Sequence, residues 1–315
     1  MTTYWQILGL IAPVLAIIGI GILVRRYGLL QKEADVSLMR LVVDLFFPCL
    51  IFEAIMGNSA MRESSNILPP FLMGAGTILL GYLFGFWIGK GLGFSSGKGL
   101  RTFAFSVGIY NYGYIPIPLV ENIFGKEALG VLFVHNMGAM VVIWTVGVLI
   151  LAGTSSLEGL RKLINAPNIS IILAISLNGM GAADYVPEMV HSIAVPLGAC
   201  AVPAALLLVG ATLEGYLGKI KEVFDWKVCT GATLLRLGLL PLIFLFLTKY
   251  LPLSEELKQV MVVASAMPAG IFPLVIARHY GGQPLMAAQV IISTTVIGLI
   301  VIPLWIEFGI WFVEL

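Results

Sequence analysis

The sequence has few charges and few of the side chains that usually carry out catalysis. Charged residues make up 11% of its 315 residues, and His occurs three times. No HExxH zinc motif and no phosphate-binding loop is present. No enzyme activity, cofactor or metal is therefore expected. The charges also form no basic or acidic tail, so no nucleic-acid partner is expected either.

Cysteine is scarce, and the N-terminus lacks a positive charge. Cys49, Cys200 and Cys229 each fall in an apolar stretch and none forms a CxxC pair, which argues against both a disulfide framework and a metal site. The chain begins MTTYWQILGL, and its first charges follow the first apolar run. This order argues against a cleaved secretory signal and predicts a retained first helix whose N-terminus lies outside.

Hydrophobic residues are abundant: they make up 59% of the chain, and the mean hydropathy is +1.00. These values predict an all-α membrane protein that crosses the bilayer many times. With about 20 apolar residues per span, the sequence predicts ten transmembrane helices, at roughly 4–24, 36–57, 68–89, 100–122, 128–152, 168–182, 187–213, 228–248, 258–279 and 285–312.

The basic residues are distributed unevenly between the loops. With the N-terminus outside, four lie in outer loops, whereas the inner loops hold Arg25, Arg26, Lys32, Lys90, Lys98, Arg101, Arg161, Lys162, Lys219, Lys221, Lys227 and Arg278. The positive-inside rule then predicts an even number of spans in the inner (plasma) membrane, with both termini outside. Residues 1–152 and 168–315 form two five-helix repeats of opposite orientation, joined by a short cytoplasmic connector at 153–167.

Two apolar spans contain residues that break helices. The stretch Val107–Leu119 reads VGIYNYGYIPIPL, and Met267–Pro273 reads MPAGIFP about half a chain later. Proline removes a backbone donor, and in lipid each unsatisfied backbone group costs several kcal/mol. Such backbone survives only where protein or a watery cavity covers it. Broken spans at matching places in two halves predict a transporter whose binding site lies between the breaks.

The breaks also indicate what kind of ligand would bind. A half-helix that restarts at mid-membrane presents free N–H groups and a positive dipole end, which suit a carboxylate. The Asn111 amide can donate to that carboxylate, or it can serve only the helix break. The predicted substrate-binding residues are Tyr110, Asn111, Tyr112, Gly113, Tyr114, Pro118, Pro268, Gly270, Ile271 and Pro273.

A few ionisable residues lie within or near the spans. Arg40 and Asp44 are one helical turn apart and can pair; either Arg40 reaches the inner surface with Asp44 as its counter-charge, or Asp44 couples transport to a cation. Glu53 is a weaker candidate for the same role. Arg236 is expected to extend to the inner surface; the alternative is that it attracts anions into the vestibule. For His135 and Asn136, helix packing is expected.

The residues at the breaks resemble those of the auxin efflux carrier family, which includes bacterial permeases and the plant PIN-FORMED carriers. Its fourth span typically reads Asn-x-Gly-Phe-x-Gly-x-Pro-Leu. Four residues match this pattern: Asn111, Gly113, Pro118 and Leu119. Tyr114 replaces the Phe, and Pro116 replaces the second Gly. Plant members also tend to have a Pro immediately before the Asn, where this chain has Tyr110. The other matching residues are Arg40, Pro48, Pro268, Gly270, Ile271, Pro273, Ala277, Tyr280, Pro284 and Pro303.

The resemblance implies a sodium/proton-antiporter-like crossover fold, in which helices 4 and 9 are broken and cross. Helices 1, 2, 6 and 7 would form a scaffold, and helices 3–5 and 8–10 a transport core. The resemblance further implies a homodimer and a small organic acid substrate, such as auxin or malonate, moved across the lipid bilayer by alternating access.

Three interpretations stay open at this level. The first is a secondary transporter of a small organic anion, either a uniporter or coupled to a proton or sodium ion. The second is a sodium-coupled symporter of the bile-acid type, which shares the fold. The third is a transporter-like membrane receptor that binds its ligand without moving it. Measured flux would separate the carriers from the receptor.

Overall fold

Helices account for all the regular secondary structure in the computed structural model, which describes residues 4–95, 97–152, 161, 163–217, 224–279 and 281–315. No β-strand lies in those ranges, although Tyr110 and Ala269 form an isolated β-bridge. Six segments in the described ranges are long and apolar enough to cross a membrane: Tyr4–Arg26, Leu68–Gly91, Lys126–Leu151, Glu188–Leu217, Trp226–Tyr250 and Pro284–Val313. The prediction of an all-helical membrane protein is confirmed.

The described part of the chain contains sixteen α-helices, numbered here in chain order. They are α1 Tyr4–Arg26, α2 Ala34–Leu41, α3 Phe47–Ile55, α4 Leu68–Gly91, α5 Lys98–Gly108, α6 Pro116–Phe124, α7 Lys126–Val142, α8 Val148–Ala152, α9 Ala166–Gly179, α10 Glu188–Ala199, α11 Ala201–Leu217, α12 Trp226–Leu234, α13 Leu240–Tyr250, α14 Glu255–Ala266, α15 Phe272–His279 and α16 Pro284–Val313.

Four of the ten predicted spans are not among the six long apolar segments. The second consists of α2 and α3, the fourth of α5 and α6, and the ninth of α14 and α15. The sixth is α9 alone, whose 14 residues extend about 21 Å, less than the thickness of the hydrocarbon core. The ten-span topology therefore stays a prediction.

Three wide π-helical turns join consecutive helices: Val42–Phe46 between α2 and α3, Ile143–Gly147 between α7 and α8, and Leu235–Leu239 between α12 and α13. Pro48 and Pro241 are each the second residue of the helix that follows one of these turns. Proline clashes with the carbonyl four residues earlier and cannot bond to it. A wider turn accommodates that carbonyl without ending the helix.

Glycines allow two pairs of helices to pack with their backbones nearly in contact. A Cβ added at Gly210 of α11 would lie 2.0 Å from the Ile18 carbonyl oxygen of α1. A Cβ added at Gly138 of α7 would lie 1.9 Å from the Phe71 carbonyl oxygen of α4. Small residues at helix contacts are how membrane proteins gain close van der Waals packing. The pairs α1–α11 and α4–α7 are therefore tightly packed units.

Parts of the predicted connector and of one inner loop cannot be compared with the structure. Residues 153–160 and 162 of the connector lie outside the described residues, as do Lys219, Lys221 and Tyr280. The helix after the connector begins at Ala166, two residues before the predicted start. The side chain of Asn165 caps it by accepting a hydrogen bond of 2.9 Å from the Asn168 N–H.

Candidate functional site

The two predicted breaks are gaps between helices, and their backbones pair. One gap separates α5 from α6, and the other separates α14 from α15. The Asn111 N–H donates to the Pro268 carbonyl at 2.8 Å, and the Gly270 N–H donates to the Ile109 carbonyl at 2.9 Å. Glycine is required at 270 because an added Cβ would lie 2.8 Å from the Tyr110 carbonyl oxygen. Each segment thus satisfies backbone groups that have no helical partner in the other.

The first turn of α6 differs from the expected ring of free N–H groups. Pro116 and Pro118 have no N–H to offer, and the Ile117 N–H donates to the Gly113 carbonyl at 3.1 Å. The Ile115 N–H donates to the Asn111 side-chain oxygen at 3.3 Å. The prediction that α6 itself presents free donors is therefore wrong. Its prolines remove them, and Asn111 takes up one that remains.

Free donors occur instead in the bend and turn before α6 and at the start of α15. The backbone N–H groups of Tyr112, Gly113 and Tyr114 make no hydrogen bond within the described protein, and neither do those of Ile271 and Phe272. The side-chain nitrogen of Asn111 also has no acceptor among the described residues, since the side chain of Asn111 bonds only through its oxygen. Successive unpaired N–H groups of this kind form an anion-binding concavity.

A cavity of about 110 Å³ lies against both breaks. All the residues that carry the free donors line it, and of the residues that the structure describes no Asp, Glu, Lys or Arg does. Apolar residues of α3, α7 and α9, among them Phe47, Met137 and Ile171, form the remaining walls. Engineered cavities of about 150 Å³ hold benzene, so this volume suits a ligand of a few heavy atoms.

The cavity extends along α9 toward its N-terminal end, where Pro167 and Asn168 line it. At the C-terminal end of α9, Asn178 donates to the Asn58 carbonyl at 2.8 Å. The Asn58 side chain in turn donates to the carbonyl of Lys126, the first residue of α7, at 2.9 Å. Hydrogen bonds between buried asparagines therefore join the helix ends on the side of the protein away from the cavity.

Seven of the ten predicted substrate-binding residues line the cavity: Tyr110, Asn111, Tyr112, Gly113, Tyr114, Gly270 and Ile271. The other three, Pro118, Pro268 and Pro273, do not line it. They act on the backbone, as Pro268 does by accepting the Asn111 N–H. Contact between any of these residues and a substrate stays a prediction.

The predicted coupling residues lie away from the cavity and apart from one another. Arg40 and Asp44 are both exposed and make no ion pair with each other or with any other described residue. The π-helical turn from Val42 to Phe46 changes the helical spacing between the two. Glu53 instead pairs with His191 of α10, whose Nδ1 lies 2.9 Å from a carboxylate oxygen. The structure therefore does not bring these three residues together at one site.

Arg236 is fully buried, which corrects the expectation that it extends to the inner surface. Its guanidinium donates to the carbonyls of Met267 at 2.9 Å, Ser265 at 3.2 Å and Ala264 at 3.3 Å, at the C-terminal end of α14. It also lies over the ring of Tyr110, 4.8 Å from the centroid. The sequence carried no signal for this, because an arginine near a span end usually reaches the interface.

A chain of polar side chains holds the Tyr110 ring in place from its other end. The Tyr110 hydroxyl lies 3.1 Å from the Thr77 hydroxyl and 3.3 Å from the His135 Nε2 atom. His135 in turn lies next to Asn136, which lines the cavity. Asn136 thus forms part of the cavity wall in addition to any packing role. The sequence could not predict this position, because it depends on contacts between distant helices.

The second break has a comparable support from α16. The Ala269 N–H donates to the Thr294 hydroxyl at 3.1 Å, and that hydroxyl donates to the Val290 carbonyl at 2.7 Å. Thr294 therefore connects the second break to α16.

Comparison with known proteins matches residues 6–306 to a family described as membrane transport protein. The chain belongs to this family, the auxin efflux carrier-like transporters. The predicted resemblance is confirmed, and with it the assignment of the chain as a membrane transporter. Two archaeal proteins named as uncharacterized transporters are similar to this transporter. That of Methanothermobacter thermautotrophicus is 25% identical over 301 residues, covering 94% of this chain and 96% of the relative. That of Methanocaldococcus jannaschii is 26% identical over 300 residues, covering 93% and 95%.

Proposed function

We propose that this transporter moves a small organic anion, of the size of a short mono- or dicarboxylate, across the membrane by alternating access. The observation that carries the proposal is the set of six free donors, the five backbone N–H groups and the Asn111 amide, on one small cavity at the paired breaks. A carboxylate accepts several such bonds at once, and hydrogen bonds to a charged acceptor are about twice as strong as neutral ones.

Anion binding fits the charge around the cavity as well as its donors. No acidic residue lines it, so no negative charge repels a carboxylate. The cavity is bordered instead by the free N–H groups before α6 and at the start of α15, whose partial positive charges face it. A carboxylate is then held without direct contact to Lys or Arg. The protein acts in this scheme as a carrier and not as an enzyme.

The proposed topology is the ten-span inverted repeat, in the plasma membrane with both termini outside. Helices α2–α3, α5–α6, α9 and α14–α15 would cross together with the six longer segments, and the two interrupted spans would cross each other where their backbones pair. The scaffold would contain α1, α2–α3 and α9–α11, and the core the remaining helices. The tightly packed pairs α1–α11 and α4–α7 each fall within one of these bodies, which is what rigid-body motion requires.

Alternating access also requires one side to be closed while the other is open. The Asn58 bond to the start of α7 spans the proposed boundary between scaffold and core. The cavity extends in the opposite direction, toward Pro167 and Asn168. We assign the asparagine side to the outside and the cavity mouth to the inside. A homodimer through the scaffold and coupling to a proton or sodium ion belong to the same proposal.

The test is flux in liposomes that contain purified protein, with an imposed gradient and a panel of short mono- and dicarboxylates. We expect uptake of at least one acid above that of protein-free liposomes. Gly113→Leu is the matched blocked variant, because a Cβ at Gly113 meets no atom within 4 Å and the rest of the leucine side chain would occupy space in the cavity. Flux equal to background for the whole panel, or equal flux through Gly113→Leu, would overturn the proposal.

A further inference from the structure

Arg236 carries the one charge that lies buried near the cavity. Among the Lys, Arg, Asp and Glu residues that the structure describes, Arg236 is the one that is fully buried, at 0% exposure. It makes no ion pair with any described residue. Burying an ion in a medium of low dielectric is costly unless its charge is compensated. How much of the positive charge of Arg236 is left uncompensated therefore depends on the groups around its guanidinium.

The compensation of Arg236 is incomplete. Its acceptors are three carbonyl oxygens at the C-terminal end of α14, where the helix dipole amounts to roughly half a negative charge. The faces of Tyr110 and Phe244 lie 4.8 Å and 5.4 Å from the guanidinium carbon and add a weaker attraction. One of its nitrogens, Nη1, is buried without an acceptor. A net positive charge remains.

That charge lies directly behind the cavity wall. Tyr110 separates the two, since the residue lines the cavity and its ring covers the guanidinium. The Met267 carbonyl that binds Arg236 is adjacent in sequence to Pro268, whose carbonyl holds the Asn111 backbone. The Tyr110 ring and one residue of backbone therefore separate the guanidinium from the donors that face the cavity.

We infer that Arg236 sets the valence of the substrate, so that the cavity prefers a monovalent anion to both a neutral analogue and a dianion of the same size. This inference rests on the proposed function. One negative charge neutralises the charge left at Arg236. A second one would be buried without a partner, and a neutral ligand would leave the guanidinium uncompensated. The substrate class is accordingly the monocarboxylates, or dicarboxylates in their singly protonated form.

The experiment uses three probes with the same number of heavy atoms: malonamate, malonate and malonamide. At mildly alkaline pH they carry one, two and no negative charges. Affinities are measured by competition with uptake of the organic acid that wild type transports in liposomes. For charges about 10 Å apart at an effective dielectric constant of about 20, the interaction corresponds to roughly tenfold or more in affinity. We expect wild type to bind malonamate about tenfold tighter than malonamide, and also tighter than malonate, because the second charge of malonate would be desolvated without a partner.

Variants separate the charge of Arg236 from its role in holding α14. Arg236→Lys keeps the charge and should keep the preference, whereas Arg236→Gln keeps donors but loses the charge, and should bind malonamate and malonamide within about twofold of each other. Arg278→Gln is the control, because it removes an exposed cation whose field is screened by water, and it should leave the preference unchanged.

Each outcome bears on one claim. If Arg236→Gln weakens all three probes equally, the residue only supports the helix end and the inference is overturned. If Arg236→Gln does not fold, the wild-type ratios still decide: equal or tighter binding of malonate overturns the inference. If wild type binds some organic acid but shows no valence preference, only the inference fails. If it binds no organic acid, the proposed function fails.

Discussion

Replacement of Asn111 tests the cavity most directly, because its side chain has two separate roles. The oxygen accepts the Ile115 N–H at 3.3 Å and so caps the restart of α6, whereas the nitrogen has no acceptor in the described protein. Asn111→Ala removes both. Asn111→Asp keeps an oxygen for Ile115 but replaces the free donor by a negative charge. The pair of variants therefore separates support of the break from binding of an anion.

The expected magnitudes follow from the two bonds. The cap is long for an N–H···O bond, so its loss should cost about 0.5–1 kcal/mol of stability. A bond from the amide to a carboxylate contributes about 1.5–3 kcal/mol, which corresponds to about 10-fold to 150-fold in affinity. We expect Asn111→Ala to lose both this stability and this affinity. Asn111→Asp should retain stability within about 0.5 kcal/mol but bind at least as weakly, because the new carboxylate repels the substrate.

Both quantities can be measured on purified protein. Thermal unfolding reports the cap, and equilibrium binding of the best substrate from the liposome panel reports the amide. Asn122→Ala is a matched control, because Asn122 is exposed on α6 and bonds to the Pro118 carbonyl at 2.7 Å without lining the cavity. Unchanged affinity in Asn111→Asp would refute the reasoning, and would mean that Asn111 serves the helix break alone.

Two further substitutions test the break and the helix packing. Pro273→Ala supplies the N–H that proline lacks, so α15 can extend back into the gap; we expect several-fold slower liposome uptake, and a fully active variant would show that Pro273 does not maintain the break. Gly138→Ala places a Cβ 1.9 Å from the Phe71 carbonyl oxygen and should destabilise the protein by about 1–3 kcal/mol. The control Gly76→Ala, which meets no atom within 4 Å, should leave the unfolding temperature unchanged.

The helix breaks could be predicted from sequence because their cause is local. Pro116, Pro118 and Pro273 lack donors wherever the chain places them, and an apolar span cannot absorb them without a gap. The details at α6 were mispredicted for the same local reason. The prolines that end the helix also remove the N–H groups that a restarting helix would otherwise present, and the free donors move to Tyr112, Gly113 and Tyr114.

The charged residues show where local reasoning fails. Arg40 and Asp44 have the spacing of a helical pair, but a π-helical turn separates them. Arg236 has the position of an interfacial arginine, but it is buried against the end of α14. In both cases the outcome depends on what packs nearby, and hydropathy in one segment carries no information about its neighbours.

The sequence by itself determined the class of the protein, its apolar segments, its family and the location of both breaks. Each of these depends on consecutive residues, through hydrophobic length, charge in short loops and the missing donor of proline. Only the tertiary structure decided that Asn111 bonds to Pro268, that seven predicted residues share one cavity and that a single positive charge lies behind it. These facts involve segments far apart in the chain, and their contacts arise from packing that no local pattern specifies.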